Sequence, residues 1–212
     1  GQTKKQRFAP TDMVTLMRQS TRGVSRDLIV ELFLSELDIV YSDAVRVGQR
    51  LILRDHAHSH FCAGAEIPER PSFRQMIAGR FPTLSIITVR HPLDSFLSLE
   101  SNGWIHFTPK TFDEYCRRYI AFLHHYEKVP VIRYEDFVAA PAETMSAVCK
   151  LLNIPFTREF SDLIGAIKMT GDSGRNGDDI ASRPRRPVPG QLAEELETSR
   201  NYQTLLQILR YD

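Results

Sequence analysis

Leu84-Ser85-Ile86-Ile87-Thr88-Val89-Arg90-His91-Pro92-Leu93-Asp94-Ser95-Phe96-Leu97-Ser98 is the stretch that decides the fold. Its first part is apolar, rich in β-branched residues and too short for a typical helix, so it reads as a buried strand. Arg90 stands at the strand tip. Pro92 suits the first turn of a following helix, where its missing N–H costs nothing. A strand that passes through a basic tip straight into a helix is half of a parallel βαβ unit.

On either side the same pattern recurs. Leu51-Ile52-Leu53 and Val129-Pro130-Val131-Ile132 are further short apolar runs, and each is expected to be a strand. Helical spacing fills the intervals, over residues 72–78, 92–100 and 112–127. Strands alternating with helices predict a three-layer α/β fold, a parallel sheet with helices on both faces. Farther out, a helix starts at Thr11-Asp12 and a long one covers 27–45. Beyond the third strand, helices are predicted over 141–152, 158–167 and 192–209. Residues 170–189, rich in Gly, Asp, Arg and Pro, form a long loop, and a loop of that length is usually functional or disordered. Residues 1–10 read as a flexible lead-in to a single α/β domain over 11–212.

Composition narrows the function. The chain has 212 residues, with 27 Lys+Arg against 26 Asp+Glu and a net charge of +1. That balance excludes a generic polyanion binder, and no nucleic-acid partner is expected, but a local basic pocket is compatible with it. No apolar run approaches the ~20 residues of a membrane span. The opening Gly1-Gln2-Thr3-Lys4-Lys5-Gln6-Arg7 is basic but leads into no apolar stretch, so no signal peptide is read and a cytoplasmic location is expected. The three cysteines, Cys62, Cys116 and Cys149, are too few and too scattered for a disulfide framework and fit a reducing compartment.

In a parallel α/β sheet, ligands bind beyond the carboxyl ends of the strands. Those ends carry Arg54-Asp55-His56-Ala57-His58-Ser59-His60, then Arg90-His91-Pro92, then Arg133-Tyr134-Glu135-Asp136. Each strand end alone is best read as solvated loop charge; together they favour a pocket for an anionic ligand. Ser98 lies eight positions after Arg90, about two turns into the helix. An arginine fork, a serine hydroxyl and free N–H groups at a helix start suit a phosphate. The plainer alternative is an ordinary strand–helix junction with a surface serine.

Segment 89–98 resembles the sulfotransferase family, whose 3′-phosphate motif is a strand-end Arg followed eight residues later by a helical Ser. Ile132-Arg133-Tyr134-Glu135-Asp136-Phe137 is similar to the family's strand carrying an adenine-contacting Tyr. Arg175-Asn176-Gly177 resembles its late phosphate clamp, and Leu53-Arg54-Asp55-His56 its strand ending in Lys-Thr-His. The likeness is closest to bacterial-type members and implies a P-loop NTPase-like sulfotransferase fold. It implies transfer of a sulfuryl group from 3′-phosphoadenosine 5′-phosphosulfate (PAPS) to a hydroxyl or amine, without a metal. The residues it designates are Arg90, Ser98, Tyr134, Arg175 and Gly177 for the nucleotide, and His56 as the base. The family's first strand and its 5′-phosphosulfate loop have no counterpart in this sequence, so an incomplete donor site is expected.

Other readings stay open. A non-catalytic module that binds the desulfated product PAP would keep the phosphate residues and lack the loop. A P-loop kinase relative would need Gly-x-x-x-x-Gly-Lys-Ser/Thr, which the sequence lacks. His56, His58 and His60 alternate, so on an extended chain they would share one face and could bind zinc. His58 and His60 are equally polar loop or acceptor-binding residues. Trp104 and Phe107 are either core or stacking surface for an aromatic or sugar acceptor. The expected partner is a small-molecule or carbohydrate acceptor of unspecified identity, and the sequence leaves the oligomeric state open.

Overall fold

The computed structural model of the protein describes residues 11–20, 23–163, 180, 182 and 184–211. The chain divides into two compact units, Gly1–Asp55 and His56–Asp212. In the first, α1 (Thr11–Arg18) packs against α2 (Arg26–Arg46). α2 starts at Ser25, whose side chain accepts the Leu28 N–H at 3.2 Å and so satisfies one of the orphan donors of the first turn. The strand expected at 51–53 does not form; the segment has no regular structure and Ile52 is 71% exposed. A strand persists only where a neighbour completes its ladder, and no described residue pairs with this one.

The second unit opens with α3 (His58–Phe61), β1 (Ala63–Gly64) and α4 (Phe73–Ala78). Ser72 and Gln75 form a reciprocal capping box at the start of α4. Next come β2 (Ile87–Val89), α5 (Pro92–Ser101), β3 (His106–Phe107) and α6 (Phe112–His125). They are followed by β4 (Val131–Arg133), α7 (Tyr134–Ala139), α8 (Pro141–Leu151) and a 3-10 turn at Arg158–Leu163. The remainder of the helix expected over 158–167 lies outside the described residues.

The described strands form two parallel pairs, β1 with β3 and β2 with β4. Only the inner half of the 84–89 run enters the ladder. Its register sets Val89 opposite Arg133. Both strands therefore end at the same level, and Arg90 and Tyr134 leave them side by side.

Aromatic packing builds the core around α6. Phe96 meets Phe112 at 5.2 Å between ring centroids and Tyr115 at 5.6 Å, and Phe112 meets Tyr202 at 5.0 Å. Phe107, Phe112, Cys116 and Leu205 are fully buried. Charge is buried there as well. Arg118 has no exposed surface, donates to Glu114 at 2.6 Å and donates to the carbonyls of Phe61, Gly64 and Ala65. Its guanidinium lies 5.2 Å from the Phe107 ring centroid. One buried cation thereby ties together the backbone oxygens around β1, adding to the Thr108 N–H that Gly64 already accepts.

The single helix expected over 192–209 is two, α9 (Gly190–Thr198) and α10 (Arg200–Leu209). Ser199 breaks it at φ −70° and ψ 111° because its hydroxyl serves other groups. It caps α10 by accepting the Tyr202 N–H at 3.0 Å and donates to Asp113. Asn201 also donates to Asp113, and Glu195 accepts the N–H groups of Phe112 and Asp113 at 2.8 and 3.3 Å. The α9–α10 joint is thus clasped onto the start of α6. All three cysteines are free and buried.

Candidate active site

A cavity of 690 Å³ lies within the second unit. Arg90, Ser98 and Tyr134, three of the residues expected to hold nucleotide, all line it. Arg90 comes from the tip of β2, Ser98 from the second turn of α5 and Tyr134 from the first position of α7. The Arg90 guanidinium lies over the Tyr134 ring, 5.1 Å from its centroid. No carboxylate forms an ion pair with Arg90 among the described residues. An exposed guanidinium beside an aromatic face and a hydroxyl suits a nucleotide phosphate.

The start of α5 differs from the expected array of free N–H groups. The His91 N–H donates to Glu135 Oε1 at 3.0 Å. Pro92 has none to offer. A carboxylate therefore already occupies the first of these amides. The turn is tightly held. The Tyr119 hydroxyl accepts the Arg90 N–H at 3.1 Å and donates to the Arg90 carbonyl at 3.0 Å.

The histidines are placed differently from the sequence expectation. His56 does not follow a strand. Its carbonyl accepts from the Ser59 N–H and hydroxyl, so it opens the turn into α3, and it is absent from the cavity lining. His58, two residues on, lines the cavity beside Trp104. Burial is the largest influence holding the His58 imidazole below its usual 6.5, and His106 adds to it; a hydrogen bond to the Trp104 backbone opposes them. Its Nε2 is buried with no hydrogen-bond partner among the described residues.

The alternation that would put three imidazoles on one face is lost, because His58 and His60 sit on a helical turn and diverge. The His58 ring neighbours His106, while His60 neighbours His125. No group of three potential ligands suited to a metal occurs among the described residues.

Arg175 and Gly177 lie outside the described residues. Of the same late segment, Arg185 pairs with Asp94 at 3.0 Å, and Arg186 donates to the Leu97 carbonyl and to the Ser101 hydroxyl. The segment thus grips α5, the helix that carries Ser98.

Trp104, 43% exposed, reaches the cavity after a tight turn at Gly103, whose φ of 66° favours glycine. Phe107 is fully buried and belongs to the core. The residues that shape the site without being expected are Tyr119, Glu135, Arg118 and Tyr211. Only the Glu114–Arg118 pair had a sequence signal, an i,i+4 spacing next to the apolar face of α6.

The parallel strands β2 and β4 hand over directly to α5 and α7, with an arginine and a serine on one cavity wall, and this defines an α/β protein. The chain belongs to the sulfotransferase family, whose model matches residues 34–158, more than half of its length. Among solved structures it is similar to a sulfotransferase domain from the curacin biosynthetic pathway, with a TM-score of 0.50 and 18% identity over 93% of this chain and 77% of that one. At that identity the likeness speaks for the fold. Comparison with curated proteins gives no match. No helix among the described residues is long and apolar enough to cross a membrane.

Proposed function

We propose that this sulfotransferase draws its sulfuryl group from PAPS, with Arg90 and Ser98 on the 3′-phosphate and Tyr134 against the adenine. The observation that carries the reading is the convergence of these residues, from three separate elements, on one cavity. The residues fit the group. Arg90 is exposed with no ion pair among the described residues, and Tyr134 offers an aromatic ring beside it. Arg175 and Gly177 would add to the phosphate contacts.

In the transfer, the acceptor oxygen or nitrogen bonds to sulfur, the bond from sulfur to the phosphate oxygen breaks, and PAP leaves. The acceptor proton passes to a base. The family resemblance assigns that base to His56. His58 is the alternative, supported by its place on the cavity wall and its unpartnered Nε2. A neutral imidazole accepts a proton near pH 7. Trp104 and the other apolar lining residues favour a small-molecule acceptor with a ring, whether phenolic or carbohydrate. No metal takes part in this scheme.

Calorimetry with PAP tests the reading. The wild-type chain is expected to bind, and Arg90→Ala to lose about 2–5 kcal/mol, the usual cost of removing one partner of a charged pair. Equal binding by both proteins would refute the assignment. A chain that binds PAP but moves no sulfuryl group from labelled PAPS to any of a panel of sugars and phenols would instead be a binding module.

A further inference from the structure

The turn that carries Arg90 is held by side chains from distant parts of the second unit. Tyr119 brackets the Arg90 peptide from α6. Glu135, on α7, takes the next amide with one carboxylate oxygen. The other oxygen accepts from the Tyr211 hydroxyl at 2.5 Å. Tyr211 follows α10, and its ring packs on the His91 ring at 4.9 Å. Arg133 covers the same tyrosine at 5.4 Å and donates to the Arg210 carbonyl at 2.8 Å. Tyr211 is therefore anchored through its ring, its hydroxyl and the backbone of its neighbour.

The charge of Glu135 makes this anchorage matter. Glu135 follows Tyr134, over whose ring the Arg90 guanidinium lies, and it holds the amide of the residue after Arg90, so the carboxylate lies in the same neighbourhood as the guanidinium expected to meet phosphate. A carboxylate released from its donors would turn to a guanidinium that has no ion pair among the described residues, and Arg–carboxylate pairing is strong and bidentate. Such a pair would neutralise the cation and compete with an incoming anion.

We propose that Tyr211 is a positioning residue that restrains the Glu135 carboxylate on the His91 amide and so leaves Arg90 free for the nucleotide phosphate. The inference rests on the PAP reading of the cavity. It assigns Tyr211 no contact with the nucleotide; the residue acts through Glu135.

Tyr211→Phe tests it, since the ring that packs on His91 is retained and only the hydroxyl is lost. The expected result is PAP binding weakened roughly tenfold, the scale of one hydrogen bond to a charged group. Amide exchange at His91 should quicken, because its acceptor is no longer fixed. In a Glu135→Gln background, which keeps the amide acceptor and removes the charge, Tyr211→Phe should alter PAP affinity less than about twofold, as expected for residues that act as one unit. Leu205→Val, in the buried face of α10, is the structural control: it should lower the unfolding midpoint and leave PAP affinity unchanged.

Unchanged His91 exchange and PAP affinity in Tyr211→Phe would overturn the restraint, as would full additivity with Glu135→Gln. A wild-type chain that ignores PAP would overturn the donor reading instead. The His91 exchange measurement needs no nucleotide, so the two failures remain distinct.

Discussion

His56 and His58 lie two residues apart and differ in everything around them. His56 is exposed at the start of a turn, while His58 has a buried nitrogen on the cavity wall. The pair offers a direct comparison. If the cavity wall supplies the base, His58→Ala should lower turnover by roughly 10²–10⁴-fold, the usual contribution of a positioned acid–base group. His56→Ala should then stay within a few-fold of wild type, with PAP affinity preserved in both. The reverse order in a labelled-PAPS assay would return the base to His56. His58 and His91 also make stability depend on pH. Burial is the main cause holding both below their usual 6.5, so the unfolded chain takes up protons at a higher pH than the folded one. Their stabilising effect is complete above about 6.5 and drains away as pH falls below it. The thermal midpoint is therefore expected to decline between pH 7 and pH 5, and less steeply in His91→Asn. A flat profile through that window would show that neither imidazole is buried as described.

At the scale of elements, Arg118 joins α6 to the backbone around β1. Removing it takes a donor from the Phe61, Gly64 and Ala65 carbonyls and leaves Glu114 with only the half-exposed Arg117. Arg118→Met is expected to cost about 3–5 kcal/mol in urea unfolding, as for other broken buried pairs. A loss below 1 kcal/mol would mean that the carbonyl contacts carry no weight. The helices were readable because their signals are local. Ser72 with Gln75, Pro92 and Thr111 mark their own starts within one turn of sequence. Strands were harder, since pairing decides them. Leu51-Ile52-Leu53 has strand composition and no partner among the described residues, while Ala63-Gly64 and His106-Phe107 have partners and no pattern. Arg90, Ser98 and Tyr134 stood out because strand-to-helix junctions are punctuated in sequence. Tyr119, Glu135 and Tyr211 did not, because the groups they hold lie 29, 44 and 76 positions away.

For the whole molecule, the division at Asp55 and His56 sets every candidate site residue from His56 onward in the second unit. That unit has its own aromatic core and its own clasp at α6. A protein of residues 56–212 is expected to unfold in one cooperative transition and to bind PAP within about threefold of the 212-residue chain, since every cavity-lining residue lies in that span. A non-cooperative melt, or a much weaker complex, would show that the first unit contributes to the site.

The clasp of Glu195 on the first turn of α6 has a consequence for synthesis. The carboxylate that caps Phe112 is encoded 83 positions downstream. At roughly 5–20 residues per second, a ribosome needs about 4–17 s to add it. Throughout that interval α6 has Thr111 as its cap, and Phe96, Phe112 and Tyr115 lack the cover that Tyr202 and Leu205 later bring. The nascent chain thus presents an aromatic surface for seconds before it can close, and slower translation of residues 112–195 would lengthen that exposure.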